Sequence, residues 1–104
     1  MEYIEIEKDL IPYRFDIAID GKTYTFEVSY NAENDYFTVD LYRNDQLVIA
    51  GAKAVYGRPL FAAHMYLDVP QIPIIPLDVS GQTERVTWDN FNKTVFLWLV
   101  SDNG

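Results

Sequence analysis

The sequence predicts a single all-β domain over residues 1–104, built as a small antiparallel β-barrel or two-sheet β-sandwich with at most one short helical turn. Apolar and polar residues alternate with a period of two through the first half, which is typical of strands with one wet face. No window of about 11–18 residues carries an apolar stripe at the helical period. The 8 Tyr and 6 Phe are many for 104 residues, and aromatic side chains favour strands.

The first half of the chain predicts a meander of four antiparallel strands. Asp20 and Gly21 suit a two-residue hairpin turn between the first two strands, because Gly accepts a positive φ without a clash of a Cβ. Polar residues at 31–35 and 44–45 supply the next two turns. The predicted strands cover residues 13–19, 24–30, 37–41 and 47–50.

Three prolines, Pro70, Pro73 and Pro76, divide an apolar segment of the second half. Proline cannot donate a ladder hydrogen bond, so residues 72–76 are expected to form at best an edge strand or an extended, polyproline-like segment. Residues 87–91 can then form a single helical turn. The apolar run at 95–100 predicts a final buried strand.

The predicted core consists of side chains that occupy a single phase of their strands, because a one-residue slip in register would send each set to solvent. Trp98 is included because it lies in an apolar run, whereas Trp88 fits a core or a contact position equally well. The predicted core residues are Phe15, Ile17, Phe26, Val28, Phe37, Val39, Leu41, Phe96 and Trp98.

The chain is strongly acidic, with 8 basic and 16 acidic side chains and a net charge of −8. Residues 1–46 hold 4 of the basic and 11 of the acidic groups, so the acid is concentrated in the meander. Such a surface repels phosphate, which argues against binding to nucleic acid or to an anionic membrane. The six-residue apolar run at 95–100 is far shorter than the ~20 residues that span a bilayer, and the N-terminal residues lack the pattern of a signal peptide. We expect a soluble protein.

Candidate catalytic and metal-binding residues all have a structural interpretation. His64 is the only histidine and is interpreted as a structural or surface residue, and no cysteine is present. The polar turn at 31–35 lacks the spacing and the distal bidentate Glu of a calcium loop. The carboxylates lie mostly on the exposed phase of the strands, and no nucleophile elbow or phosphate loop occurs. The sequence therefore predicts no catalytic residue, no metal and no cofactor, and a protein that is not an enzyme.

Several short segments follow one another in a characteristic order along nearly the whole chain. They are Ile4 and Ile6, residues 15–19, Asp20-Gly21, Tyr30-Asn31, Tyr-Phe-Thr-Val-Asp-Leu-Tyr at 36–42, Leu-Val-Ile-Ala-Gly at 47–51, Gly-Arg-Pro-Leu at 57–60, Pro-Leu-Asp at 76–78 and Thr-Trp-Asp-Asn-Phe at 87–91. In length, order and spacing the chain resembles the small baseplate plug proteins of contractile-tailed bacteriophages and their prophages. It departs from a minimal member at 62–75, where the apolar segment is longer and more hydrophobic.

The resemblance implies a non-enzymatic virion component of the tail baseplate, made in the bacterial host cytoplasm. Such a protein plugs or lines the central hub and tube, and its partners are hub, spike and tube proteins or copies of itself. It also implies a compact β-barrel or sandwich. The alternative function is a small ligand- or carbohydrate-binding β-sandwich module, which predicts a concave aromatic site around an exposed Trp or Tyr.

The proline segment is the predicted partner-contact surface. Alternating branched residues and prolines hold an extended shape with little entropy left to lose, and residues 62–75 carry few charges. In the alternative interpretation, the prolines wrap the domain's own core. The predicted contact residues are Val69, Pro70, Ile72, Pro73, Ile75, Pro76 and Trp88.

Overall fold

Two antiparallel sheets make up the fold in a computed structural model that describes residues 2–100. The large sheet has the strand order β2-β3-β4-β5 and the small sheet the order β1-β7-β6. The sheets do not close into a barrel, so the all-β prediction is confirmed in its sandwich form. The strands are β1 (Glu2–Ile4), β2 (Tyr13–Ile19), β3 (Lys22–Asn31), β4 (Tyr36–Arg43), β5 (Gln46–Lys53), β6 (Ile74–Leu77) and β7 (Phe96–Leu99), with 3-10 turns at Lys8–Leu10 and Ala62–His64.

The large sheet is the predicted four-stranded meander. Its hairpin β2–β3 turns through Asp20 at φ 53° and Gly21 at φ 78°, and β4–β5 turns through Asn44 at φ 52° and Asp45 at φ 63°. Positive φ at both central residues gives the turn twist that matches the twist of the flanking strands. Both turns are therefore set by residues that tolerate the left-handed region.

Strand pairing in the large sheet places its apolar residues on one face. Phe26 pairs with Phe15 on β2 and with Leu41 on β4, and all three contribute to the core. On the opposite face, Arg14 pairs with Glu27. The alternation in the sequence therefore gave the correct phase for β2, β3 and β4.

Strand β5 extends beyond its predicted end at residue 50. The pairing with β4 shifts register at a bulge, and Gly51 adopts φ 70° there. The Gly51 N–H donates to the Asp40 carboxylate at 2.6 Å, which satisfies a backbone group that the bulge removes from the ladder. The strand continues through the glycine as far as Lys53.

The small sheet closes the other side of the core. Its central strand β7 pairs with β1 on one side and β6 on the other, so β6 is the edge strand predicted for the proline segment. Side chains from both sheets form one buried cluster. Its members are Ile4, Ile6, Ile19, Tyr24, Phe26, Val28, Phe37, Val39, Leu41, Ile49, Ala54, Leu60, Phe61, Val69, Ile74, Val86, Phe91, Val95 and Leu97.

The predicted core positions of Phe96 and Trp98 are wrong. Val95 and Leu97 are the buried residues of this run, and Phe96 and Trp98 are half-buried on the opposite face of β7. All six residues of the run are apolar, so the pattern contains no polar phase that could indicate which face points inward.

The predicted helical turn at 87–91 is present. The Phe91 N–H donates to Thr87 O at 2.9 Å, and the Asn90 N–H donates to Thr87 Oγ1 at 3.2 Å. Asn90 Oδ1 in return accepts the Thr87 N–H at 2.9 Å, so the two side chains cap the turn reciprocally. The turn directs Phe91 into the core, where its ring centroid lies 4.4 Å from that of Phe37.

Candidate functional site

The predicted contact residues divide between the interior and the surface. Val69 is 1% exposed, and Pro70 and Pro76 are also buried. Ile72 and Ile75 are half-buried. Pro73 is exposed. The segment thus supplies both core side chains and surface side chains.

The outer edge of β6 is occupied by the chain's own backbone. Ile74 O accepts the Leu60 N–H at 2.8 Å, and Pro76 O accepts the Gly57 N–H at 2.9 Å. Pro76 itself has no N–H to offer. A strand from another protein would have to displace residues 57–60 before it could pair here.

Trp88 combines a packed and an exposed position. It is 36% exposed, while its ring stacks on Phe37 at 5.9 Å and 12° and lies 4.8 Å from the Tyr30 ring. The Lys8 ammonium lies 5.2 Å from the centre of the indole and donates to Trp88 O. The ring is therefore in contact with this chain's own aromatic and cationic groups, which hold it in one orientation.

Lys8 lies beside a cleft of about 720 Å³ between residues 5–10 and Trp88. Burial lowers the pKa of the Lys8 ammonium, and repulsion from Lys93 lowers it further. The cleft is also lined by Asn92. Trp88 is the one aromatic residue among the described residues that line it.

Asp35 fixes the loop of Trp88 to the large sheet. Its Oδ1 accepts the Tyr30 hydroxyl at 2.7 Å and the Trp88 N–H at 2.8 Å. These two hydrogen bonds, the Tyr30 bond first, lower the pKa of the Asp35 carboxyl. The same bond raises the pKa of Tyr30 to about 12. The polar turn at 31–35 therefore uses its carboxylate to join two parts of the chain.

Asp78, at the end of β6, is a buried carboxylate with a full set of donors. One oxygen accepts the Ser80 hydroxyl at 2.6 Å and the Ser80 N–H at 2.9 Å. The other accepts the Thr83 hydroxyl at 2.9 Å and the Thr83 N–H at 3.2 Å. The Ser80 hydroxyl is the main cause of the lowered pKa of Asp78. The group closes the loop after β6 and leaves no lone pair aimed at a substrate.

The remaining candidates for chemistry are isolated. His64 is half-buried, and its ring lies 6.3 Å from that of Tyr66. Within residues 2–100, no three His, Cys, Asp or Glu side chains are arranged to hold a metal ion. In the same range, no helix has the length and apolarity needed to cross a bilayer.

Sequence reasoning missed an aromatic cluster on the outer face of the small sheet. The centre of the Tyr3 ring lies 4.4 Å from that of Phe96 and 5.2 Å from that of Trp98. The Trp98 indole N–H donates to Leu77 O at 3.1 Å. The apolar run at 95–100 was the signal that could have revealed this cluster. When every residue of a strand is apolar, both faces of the strand are apolar, and only one of them can face the core.

These features define a small two-sheet β protein with a charged, polar outer face on one sheet and an aromatic outer face on the other. The model of the family described as "Cyanophage baseplate Pam3 plug gp18" matches residues 1–102. The chain belongs to this family, and the predicted resemblance is confirmed. Membership indicates a structural component of a phage baseplate, and so a virion protein that associates with other baseplate components. No curated protein matches the chain.

Proposed function

We propose that the protein is a non-enzymatic plug that closes or lines the central hub and tube of the baseplate. The observation that carries the proposal is the family match over nearly the whole chain. The arrangement of the carboxylates supports it, because Asp35 and Asp78 are used in loop closure and both have lowered pKa values. A general acid at neutral pH would need the opposite shift.

Its partners in this role are hub, spike or tube proteins, or further copies of the chain. Contact by the proline segment stays a prediction for the surface members Ile72, Pro73 and Ile75, and contact by Trp88 for its exposed edge. The acidic meander would point toward solvent or the tube interior. There it would repel DNA phosphates and so keep the genome from sticking to the plug.

The ligand-binding alternative is favoured by the cleft beside Trp88 and weakened by the contacts that the indole ring already makes. A sugar-stacking tryptophan needs a free ring face, whereas Phe37 and Lys8 already lie against this indole. A carbohydrate would have to displace the Lys8 ammonium.

The test is a phage in which the gene for this chain is deleted and supplied from a plasmid. We expect particles made without the protein to lack density on the baseplate axis in cryo-electron microscopy and to lose infectivity. Plasmid-borne wild-type protein should restore both. Complete baseplates with an unchanged axis in the deletion particles would overturn the proposal.

A single substitution separates a structural role from catalysis in the same assay. His64→Ala removes the one imidazole, and we expect it to restore infectivity as well as the wild type does. A loss of infectivity with normal baseplate incorporation and an unchanged melting temperature would favour a chemical role.

A further inference from the structure

The outer face of the small sheet is a continuous apolar surface. Tyr3 on β1 pairs with Trp98 on β7, and Trp98 pairs with Ile75 on β6. Phe96 pairs with Leu77 in the same sheet. Paired residues of antiparallel strands point to the same side, so these five side chains share one face.

The indole of this face needs no polar partner. The Trp98 indole N–H donates to Leu77 O at 3.1 Å, so removing water from the indole leaves no donor without a partner. Tyr3 remains 46% exposed although its ring contacts two other aromatic rings. Tyrosine and tryptophan are the residues most often found at the energetic centre of protein interfaces.

The strands under this face carry little charge. Glu2 is the single Asp, Glu, Lys or Arg in the three strands of the small sheet, and it pairs with Leu99 in the phase opposite to Tyr3. The next charged residue after β1 is Glu5, which is exposed and in the phase of Tyr3. Glu5 therefore puts a negative charge next to the face, on a chain of net charge −8.

We propose that this face docks on a different baseplate protein, through an apolar patch flanked by Lys or Arg on that partner. The inference rests on the proposed function and names the chemistry of the contact. A basic flank complements Glu5 and the net charge of the chain, whereas a second copy would bring another Glu5 and another net charge of −8 against the first. Docking uses the face because the edge of β6 is already bonded to residues 57–60.

Photo-crosslinking in assembled particles tests the contact. Tyr3→p-benzoylphenylalanine puts the probe on the face, and Leu47→p-benzoylphenylalanine puts it at a 54% exposed position of β5. We expect residue 3 to crosslink to another baseplate chain, at a peptide that contains apolar residues flanked by Lys or Arg. The residue 47 probe should give a much weaker crosslink to that peptide.

The outcomes separate this inference from the proposed function. Crosslinks from residue 3 mainly to a second copy, or none in particles that contain the protein, would overturn the docking inference alone. Absence of the wild-type protein from particles would overturn the proposed function and the inference with it.

Charge reversal at Glu5 tests the chemistry of the partner. We expect Glu5→Lys to reduce incorporation into particles more than Glu5→Gln does, and Tyr3→Ser to reduce it about tenfold or more relative to Leu47→Ser. Melting temperatures of the purified variants show that each still folds. Equal or better incorporation of Glu5→Lys would overturn the basic flank.

Discussion

The outer faces of the two sheets carry different chemistry. On the large sheet, Arg14 pairs with Glu27 at 2.6 Å and the Thr25 hydroxyl donates to Asp16 at 2.7 Å. On the small sheet, the corresponding face is built from tyrosine, phenylalanine and tryptophan rings. The charged face favours contact with water, whereas the aromatic face gains free energy when a partner covers it. In the docking inference above, the aromatic side is therefore the one that a partner covers.

The edge strands β5 and β6 are protected from strand addition in different ways. The β5 edge is interrupted by the bulge at Gly51, whose N–H is held by Asp40. The β6 edge is covered by the loop that contains Gly57 and Leu60. Both devices discourage strand addition at these two edges.

The largest expected effect is on the inner face of the large sheet. Leu41 is fully buried, so Leu41→Ala removes apolar burial and leaves a cavity, and we expect a loss of unfolding free energy of about 2–5 kcal/mol. Urea denaturation measures it. Thr38→Ala, on the other face of the same strand, should change stability by less than about 0.5 kcal/mol. An equally small effect at Leu41 would contradict the register.

The bulge at Gly51 is expected to have the next largest effect. An added Cβ meets no atom within 4 Å, so the cost of Gly51→Ala comes from the backbone at φ 70° and amounts to about 1–2 kcal/mol. Gly51→Asn should cost less, because asparagine tolerates the left-handed region. Equal losses for the two variants in thermal unfolding would show that backbone strain is not the cause.

The two sheets also differ in how far the sequence could predict them. The meander was predictable because Phe26, Val28 and their neighbours alternate with polar residues, and because Asp20 and Gly21 specify the turn. The small sheet lacks those signals. Its strand β7 is apolar on both faces, so no local pattern assigns Leu97 to the core and Trp98 to the surface.

The candidate surface was predictable only in part, for a related reason. Proline spacing indicated an extended edge segment, and β6 is one. Which side of the segment stays open depends on residues 57–60, which are distant in sequence and form hydrogen bonds to Ile74 O and Pro76 O on its outer edge. The role in a baseplate came from the ordered resemblance along the whole chain, since no single residue carries that information.

A smaller effect is expected from the aromatic face in the free protein. Tyr3→Lys loses two ring contacts at a half-exposed edge position, and we expect a stability loss of about 1 kcal/mol. Its retention on a hydrophobic-interaction column should fall clearly. Ala18→Lys, on the wet face of edge strand β2, is the matched control and should leave retention nearly unchanged. Equal shifts for the two variants would remove the contrast between the sheets.

The smallest expected effect concerns Asp78, the buried carboxylate that follows β6. Asp78 has a pKa below its ordinary value, so it contributes stability above pH 3.8, and that contribution is lost as the pH falls through the lowered pKa. Ser80→Ala removes the hydroxyl that is the main cause of the shift, so the pKa of Asp78 should rise toward 3.8. The variant should then lose less stability on acidification than the wild type does. An NMR titration of the side-chain carboxyl carbon measures the pKa directly, with Thr83→Ala expected to give a smaller rise. If Ser80→Ala leaves the pKa unchanged, the Ser80 hydroxyl does not stabilise the buried charge, and loop closure after β6 depends on the backbone donors instead.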